Sequence, residues 1–237
     1  MTNQAQPDTS VPTHPTPIRT QQPGGRSPRR HNAGMTPRRS PVTPVAPGPG
    51  QESVWDYPRP PALQESTRHV VVKCGDILIA ETRSAWRVME TSHPPTWYLP
   101  PTDVRHDRIR RSAVRSTMCE WKGAATYWDV AAGDVAAGDV AAGDLAAGDV
   151  AADGVAATDV APGHAGSASW REAAAWSYQT PTPRFVPISG FLSFMPSAVE
   201  CYVDGERVLP QAGGFYGGWI TSDVVGPFKG EPGSWGW

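Results

Sequence analysis

The densest chemistry in this chain is the run Cys119-Glu120-Trp121-Lys122-Gly123-Ala124-Ala125-Thr126-Tyr127-Trp128-Asp129. It gathers a thiol, carboxylates, an ammonium, hydroxyls and aromatic rings. A thiol beside a base is a nucleophile, and His93, in Ser92-His93-Pro94, is the base available to Cys119. An ammonium at Lys122 suits an anionic group, and Glu120 beside it suits a hydroxyl or a proton. Each residue also has a plain reading. Cys119 serves as a small buried hydrophobe, and Glu120 with Lys122 as a surface ion pair of little energetic weight.

The spacing limits which of these groups can act together. As an extended strand, the run sends Thr117, Cys119 and Trp121 to one face and Met118, Glu120 and Lys122 to the other. That alternation separates the thiol from the Glu/Lys pair and disfavours a catalytic pair made of neighbours. His93, Cys119 and Glu120 are thus weak catalytic candidates. The aromatic residues make the stronger set. Trp121, Tyr127, Trp128, Trp176, Tyr178, Tyr216 and Trp219, with Lys122, are candidate ligand-binding residues, although packing of a small β domain accounts for rings equally well. Gly213-Gly214-Phe215-Tyr216-Gly217-Gly218-Trp219 mixes rings with glycines that allow close backbone approach, as a binding loop requires. Lysine is scarce, at three against eighteen arginines. Two of the three, Lys122 and Lys229, stand in Trp-Lys-Gly and Phe-Lys-Gly. No dinucleotide fingerprint, P-loop, zinc-protease helix or nucleophile elbow is present, so no cofactor is expected. The cysteines Cys74, Cys119 and Cys201 form no C-x-x-C pair, which argues against a structural metal.

Short strands must position these groups. His69–Lys73 and Ile77–Glu81 read as a hairpin around Gly75-Asp76, with a third strand over Trp86–Glu90 and a short fourth over Thr96–Leu99. Residues 103–115 form a basic segment, helix-like or loop-like. Thr117–Trp121 and Ala124–Asp129 pair around Lys122-Gly123. Ile188–Phe194 and Glu200–Val203 are strands, and Asp204-Gly205 turns the chain into Glu206-Arg207-Val208. Gly and Pro punctuation without a long helical period predicts an all-β domain.

Composition divides the chain. Residues 1–50 hold eleven Pro, six Arg, one Asp and no Trp, Tyr or Phe, whereas all ten Trp lie from Trp55 onward. The first segment reads as a disordered Pro/Arg-rich arm, and residues 51–237 as a compact β-rich domain. The arm carries about +5 and the remainder about −7 of the net −2. So weak a basic tail is a modest nucleic-acid signal, and a solvated tail explains it as well. No apolar run reaches membrane-spanning length and no signal-peptide core is visible, which predicts a cytoplasmic protein with no membrane partner. From Asp129 to Asp149 the unit Asp-Val-Ala-Ala-Gly recurs every five residues. A handful of units is too few to stack a core. Residues 130–168 are therefore expected to be a low-complexity loop, its carboxylates too sparse for a firm Ca²⁺ site.

Several motifs carry a resemblance. Glu52-Ser53-Val54-Trp55-Asp56-Tyr57-Pro58-Arg59-Pro60, Thr91-Ser92-His93-Pro94-Pro95, the Cys119 run, Ala175-Trp176-Ser177-Tyr178, Cys201-Tyr202-Val203-Asp204-Gly205-Glu206 and the Gly213–Ile220 segment together resemble the domain of unknown function 427 family. The resemblance covers roughly residues 52–237 apart from the repeat, where the family has a shorter connection. It implies a single compact β-tent-like domain of short antiparallel strands, similar to that of methionine sulfoxide reductase B. That enzyme's paired zinc cysteines are missing here, so its chemistry does not transfer. The family is sometimes labelled nucleotidyltransferase-like, but no Gly-Ser followed by paired Asp is present to hold Mg²⁺. Two expectations follow: a small-molecule binding domain with an aromatic, Glu/Lys-bearing pocket, or an enzyme acting on a nucleotide or phosphorylated small molecule through His93, Glu120 or Cys119.

Overall fold

Valine runs and two-residue turns dominate the first sheet of the computed structural model, which describes residues 42–133 and 169–234. In chain order the strands are β1 (Glu52–Ser53), β2 (Ala62–Ser66), β3 (Val70–Cys74), β4 (Ile77–Thr82), β5 (Ala85–Met89) and β6 (Thr96–Tyr98). After two 3₁₀ turns come β7 (Ile109–Arg111), β8 (Thr117–Cys119), β9 (Gly123–Ala132) and β10 (Ser169–Ser177). A third 3₁₀ segment, Pro183–Ile188, leads to β11 (Leu192–Phe194), β12 (Glu200–Val203), β13 (Glu206–Arg207), β14 (Leu209–Pro210), β15 (Trp219–Ile220) and β16 (Val224–Val225). The domain is all-β. No helix of the described residues is long and apolar enough to cross a membrane.

In β3, Val70, Val72 and Cys74 are buried while Lys73 faces out, the alternation expected of a half-buried strand. Gly75-Asp76 returns the chain into β4. Asp204 and Gly205, both at positive φ (49° and 83°), form the tight turn from β12 to β13. A four-stranded sheet results, in the order β13-β12-β3-β4. A second sheet runs β11-β10-β9-β7, with β8 pairing along the start of β9. A third runs β2-β5-β6, and two-strand pairs join β14 to β15 and, in parallel, β1 to β16.

The β11-β10-β9-β7 sheet is a partition. Trp128, Val130, Ala174 and Ala175 enter the main core, with Val70, Val72, Ile79, Leu99, Phe194 and Trp219. Tyr127, Trp176 and Tyr178 join a second cluster around Tyr98, Phe185 and Ile188. Adjacent residues Tyr127 and Trp128 fall in different clusters because successive strand residues point to opposite faces.

Strand pairing and hydrogen bonds reach into three segments where the sequence suggested helix, loop or arm. The basic segment is not a helix or a loop throughout, because Ile109–Arg111 is a strand. Ile109 is buried, and Arg110 pairs with Asp129 at 3.3 Å and lies 4.1 Å from the Trp170 ring, so β9 and β10 supply partners for its charge. Val130 and Ala131 are fully buried in β9 and pair with Arg171 and Trp170, so the first repeat unit serves as strand. Residues 42–50 are described, and the Val45 N–H donates to the Gly226 carbonyl at 2.8 Å. Residues 1–41 and 134–168, where the rest of the arm and of the repeat fall, lie outside the described residues.

Candidate functional site

A cavity of about 300 Å³ opens on the side of the partition away from the main core. Its floor is the second aromatic cluster. Tyr98 from β6 and Trp176 from β10 meet at right angles, with ring centroids 6.4 Å apart, and the indole N–H donates to the Tyr98 hydroxyl at 3.2 Å. Tyr178 lies 6.3 Å from Tyr98. On one side, Tyr127 shares a 2.7 Å hydroxyl hydrogen bond with Thr117.

The wall that carries Cys119 departs from simple alternation. β8 ends at Cys119, and residues 120–122 form the turn into β9. Gly123 takes φ +98°, a conformation that favours glycine. Thr182 fastens the turn: its hydroxyl donates to the Trp121 carbonyl at 2.6 Å and its N–H to the Lys122 carbonyl at 3.2 Å. Reversing the chain here defeats the expected separation of thiol and ammonium, since Cys119, Glu120, Trp121 and Lys122 all line the cavity. The expected Glu120–Lys122 pair does not form. Glu120 has a side chain 66% exposed and faces Arg59 at 3.6 Å, while Lys122 is buried.

Lys122 lies 5.6 Å from the Tyr178 ring centroid and 5.9 Å from that of Phe185. Burial opposes its charge, but Tyr98, Cys119 and Glu90 act the other way, and its pKa moves up. It is an ammonium at neutral pH. Burial likewise pushes the Tyr98 and Tyr178 hydroxyls up, so both stay neutral donors.

His93 also lines the cavity. Ser92 before it is buried at φ +70°, rare for a non-glycine residue. It is held there by hydrogen bonds from its N–H to the Val54 carbonyl (3.0 Å) and from the Lys229 N–H to its own carbonyl (2.8 Å). His93 Nδ1 is 3.0 Å from the Thr91 carbonyl, which can only accept, so Nδ1 bears the hydrogen and Nε2 is the basic nitrogen. Burial holds the imidazole below its usual pKa. The ring meets Tyr216 edge-on at 5.3 Å. His93 and Cys119 share the cavity, and no hydrogen bond joins them.

Of the residues singled out from sequence, Trp121, Lys122, Tyr127, Trp176, Tyr178 and Tyr216 line the cavity, as do His93, Cys119 and Glu120. Trp128 and Trp219 do not. Trp128 is 2% exposed and donates to the Ser177 hydroxyl at 2.8 Å. Trp219 is fully buried, stacks on Trp97 at 6.1 Å and donates to the Phe194 carbonyl. Both are core residues. Arg59, Glu90, Tyr98 and Lys229 line the cavity as well and were not among the candidate site residues. For Lys229 the signal existed in the scarcity of lysine. For Arg59, which bridges Glu90 at 3.3 Å and Glu120 at 3.6 Å, only the fold brings the partners together. Among the described residues no three His, Cys, Asp or Glu side chains gather as metal ligands.

Among curated proteins, none matches this chain. A family model described as domain of unknown function (DUF427) matches residues 62–142 and 164–205, breaking over the middle of the repeat. The matched stretches hold His93, the Cys119–Lys122 turn, Trp176 and Tyr178, and the chain belongs to the domain of unknown function 427 family.

Proposed function

We propose that this domain binds a small organic molecule with a planar body in the cavity between His93 and the Cys119–Lys122 turn. The observation that carries the reading is the composition of the walls. Rings of Trp121, Tyr127, Trp176, Tyr178 and Tyr216 enclose one space together with a few fixed polar groups, which is how ligand sites are generally built. A volume of about 300 Å³ is at the lower end for such sites and favours a one- or two-ring molecule over a dinucleotide. A thermal-shift screen of the full chain against metabolites tests it. A ligand at about a hundredfold its Kd adds about 2.7 kcal/mol and raises Tm by roughly 5–10 °C for a domain of this size. Trp121→Ala should remove the shift. If no compound stabilises the protein, the reading falls.

A second reading, an enzyme, draws on His93, whose backbone hydrogen bond leaves Nε2 as the base in a cavity that also holds a thiol. It expects His93→Ala or Cys119→Ser to abolish turnover of the bound compound while its affinity survives. Binding is the simpler reading, since no hydrogen bond links that base to that nucleophile.

A further inference from the structure

Lys122 stands apart from the other cations of low exposure. Arg87, with a side chain 11% exposed, meets Glu52. Arg108, at 19%, meets Asp107, and Arg68, at 29%, meets both Asp204 and Asp223. Arg59 on the cavity wall meets two carboxylates. None of the ion pairs among the described residues involves Lys122, although the residue is only 9% exposed. Its neighbours are rings, the Cys119 thiol, the neutral Tyr98 hydroxyl and, beyond ion-pair distance, the Glu90 carboxylate, which Arg59 already holds at 3.3 Å. A desolvated charge without a counter-ion is costly, and folded proteins remove that cost by pairing it. Here the ammonium borders a cavity, so a counter-ion can arrive from solution.

We propose that the missing counter-ion of Lys122 is the ligand's own: the cavity takes a small aromatic carboxylate, its anionic group against the ammonium and its ring against the aromatic walls. The inference rests on the cavity being a ligand site and adds the charge and class of the ligand. Arg59, Lys122 and Lys229 stand against Glu90 and Glu120 around the same space, so the lining carries one net positive charge, which a monoanion matches better than a phosphate dianion. Lys122 keeps its proton, so it acts as a fixed charge and not as an amine nucleophile.

Calorimetric titration of the full chain at pH 7 with matched probes tests this: benzoate and indole-3-carboxylate, their neutral carboxamides, benzamidine and phenyl phosphate. The expected result is carboxylate binding at least about tenfold tighter than the matching carboxamide, phenyl phosphate weaker than benzoate, and no binding of benzamidine. Lys122→Met should lower carboxylate affinity to that of the carboxamide and leave the carboxamide unchanged, while Lys122→Arg keeps the preference. Carboxamide or benzamidine binding as tightly as carboxylate overturns the anionic ligand and leaves the cavity reading standing. Phenyl phosphate binding more tightly than benzoate overturns the carboxylate assignment. Silence of every probe at millimolar concentration overturns both the inference and the reading beneath it. The wild-type comparison needs no variant, so it decides the matter even if Lys122→Met fails to fold.

Discussion

His93 is a histidine whose proton is fixed by the backbone and whose charge is suppressed by its surroundings. Burial is the main cause of its lowered pKa, the Thr91 carbonyl and Glu90 oppose it, and Lys229 and Arg59 reinforce it. The sign of the consequence follows from linkage. Below the ordinary value of 6.5 the unfolded chain takes up a proton that the native ring refuses, so this residue costs stability as pH falls from 6.5 toward the native pKa. Above 6.5 it costs nothing. His93→Gln removes the titration. Wild type should therefore lose Tm relative to His93→Gln as pH drops from about 6.5 to 5, with a constant difference between pH 7 and 8. Parallel curves across the whole range would show that burial does not suppress the charge.

At the scale of elements, what was legible in the sequence was local. Gly75-Asp76 and Asp204-Gly205 announce hairpins because two-residue turns need those residue types, and their flanking strands lie where the alternation puts them. The Cys119 run was legible as a hairpin but not in its details. Where the turn falls is decided by Thr182, about sixty residues away, which binds the Trp121 and Lys122 carbonyls; no local pattern carries that information. The same limit hid β7, whose arginines read as exposed until Asp129 and Trp170 are seen beside Arg110. The Gly213–Gly218 loop shows how an element shapes the cavity. A Cβ on Gly217 would sit 2.1 Å from the Trp176 ring, whereas Gly214 has open space and a φ of +67°. Gly217→Ala should cost about 1–3 kcal/mol by forcing Trp176 aside, and should weaken any cavity ligand. Gly214→Ala should cost about 1 kcal/mol through its backbone alone and leave affinity unchanged. Melting curves and titrations with the same probe separate the two, and equal affinities for both variants would exclude a cavity role for the Gly217–Trp176 contact.

At the scale of the described domain, the main core and the cavity lie on opposite faces of one sheet. From sequence, Trp128 and Trp176 look alike, as aromatic residues in motifs shared with the family, and only the partition by β9 and β10 tells them apart. Trp128 belongs to the core shared with β3, β4 and β12, and its indole N–H is used by Ser177. Trp176 belongs to the cluster under the cavity, and its N–H is used by Tyr98. Trp128→Phe keeps an aromatic ring in the core but deletes a buried hydrogen bond and some volume, a loss of about 1–3 kcal/mol, or roughly 2–10 °C in Tm. Because that loss falls on the far side of the sheet, cavity affinity should not change. Trp176→Phe removes a comparable bond from the cavity floor and should lower both Tm and affinity. Differential scanning calorimetry and titration on the two variants read both quantities. A Trp128→Phe protein that still melts cooperatively but has lost the ligand would mean that the sheet transmits core packing to the cavity and does not insulate it.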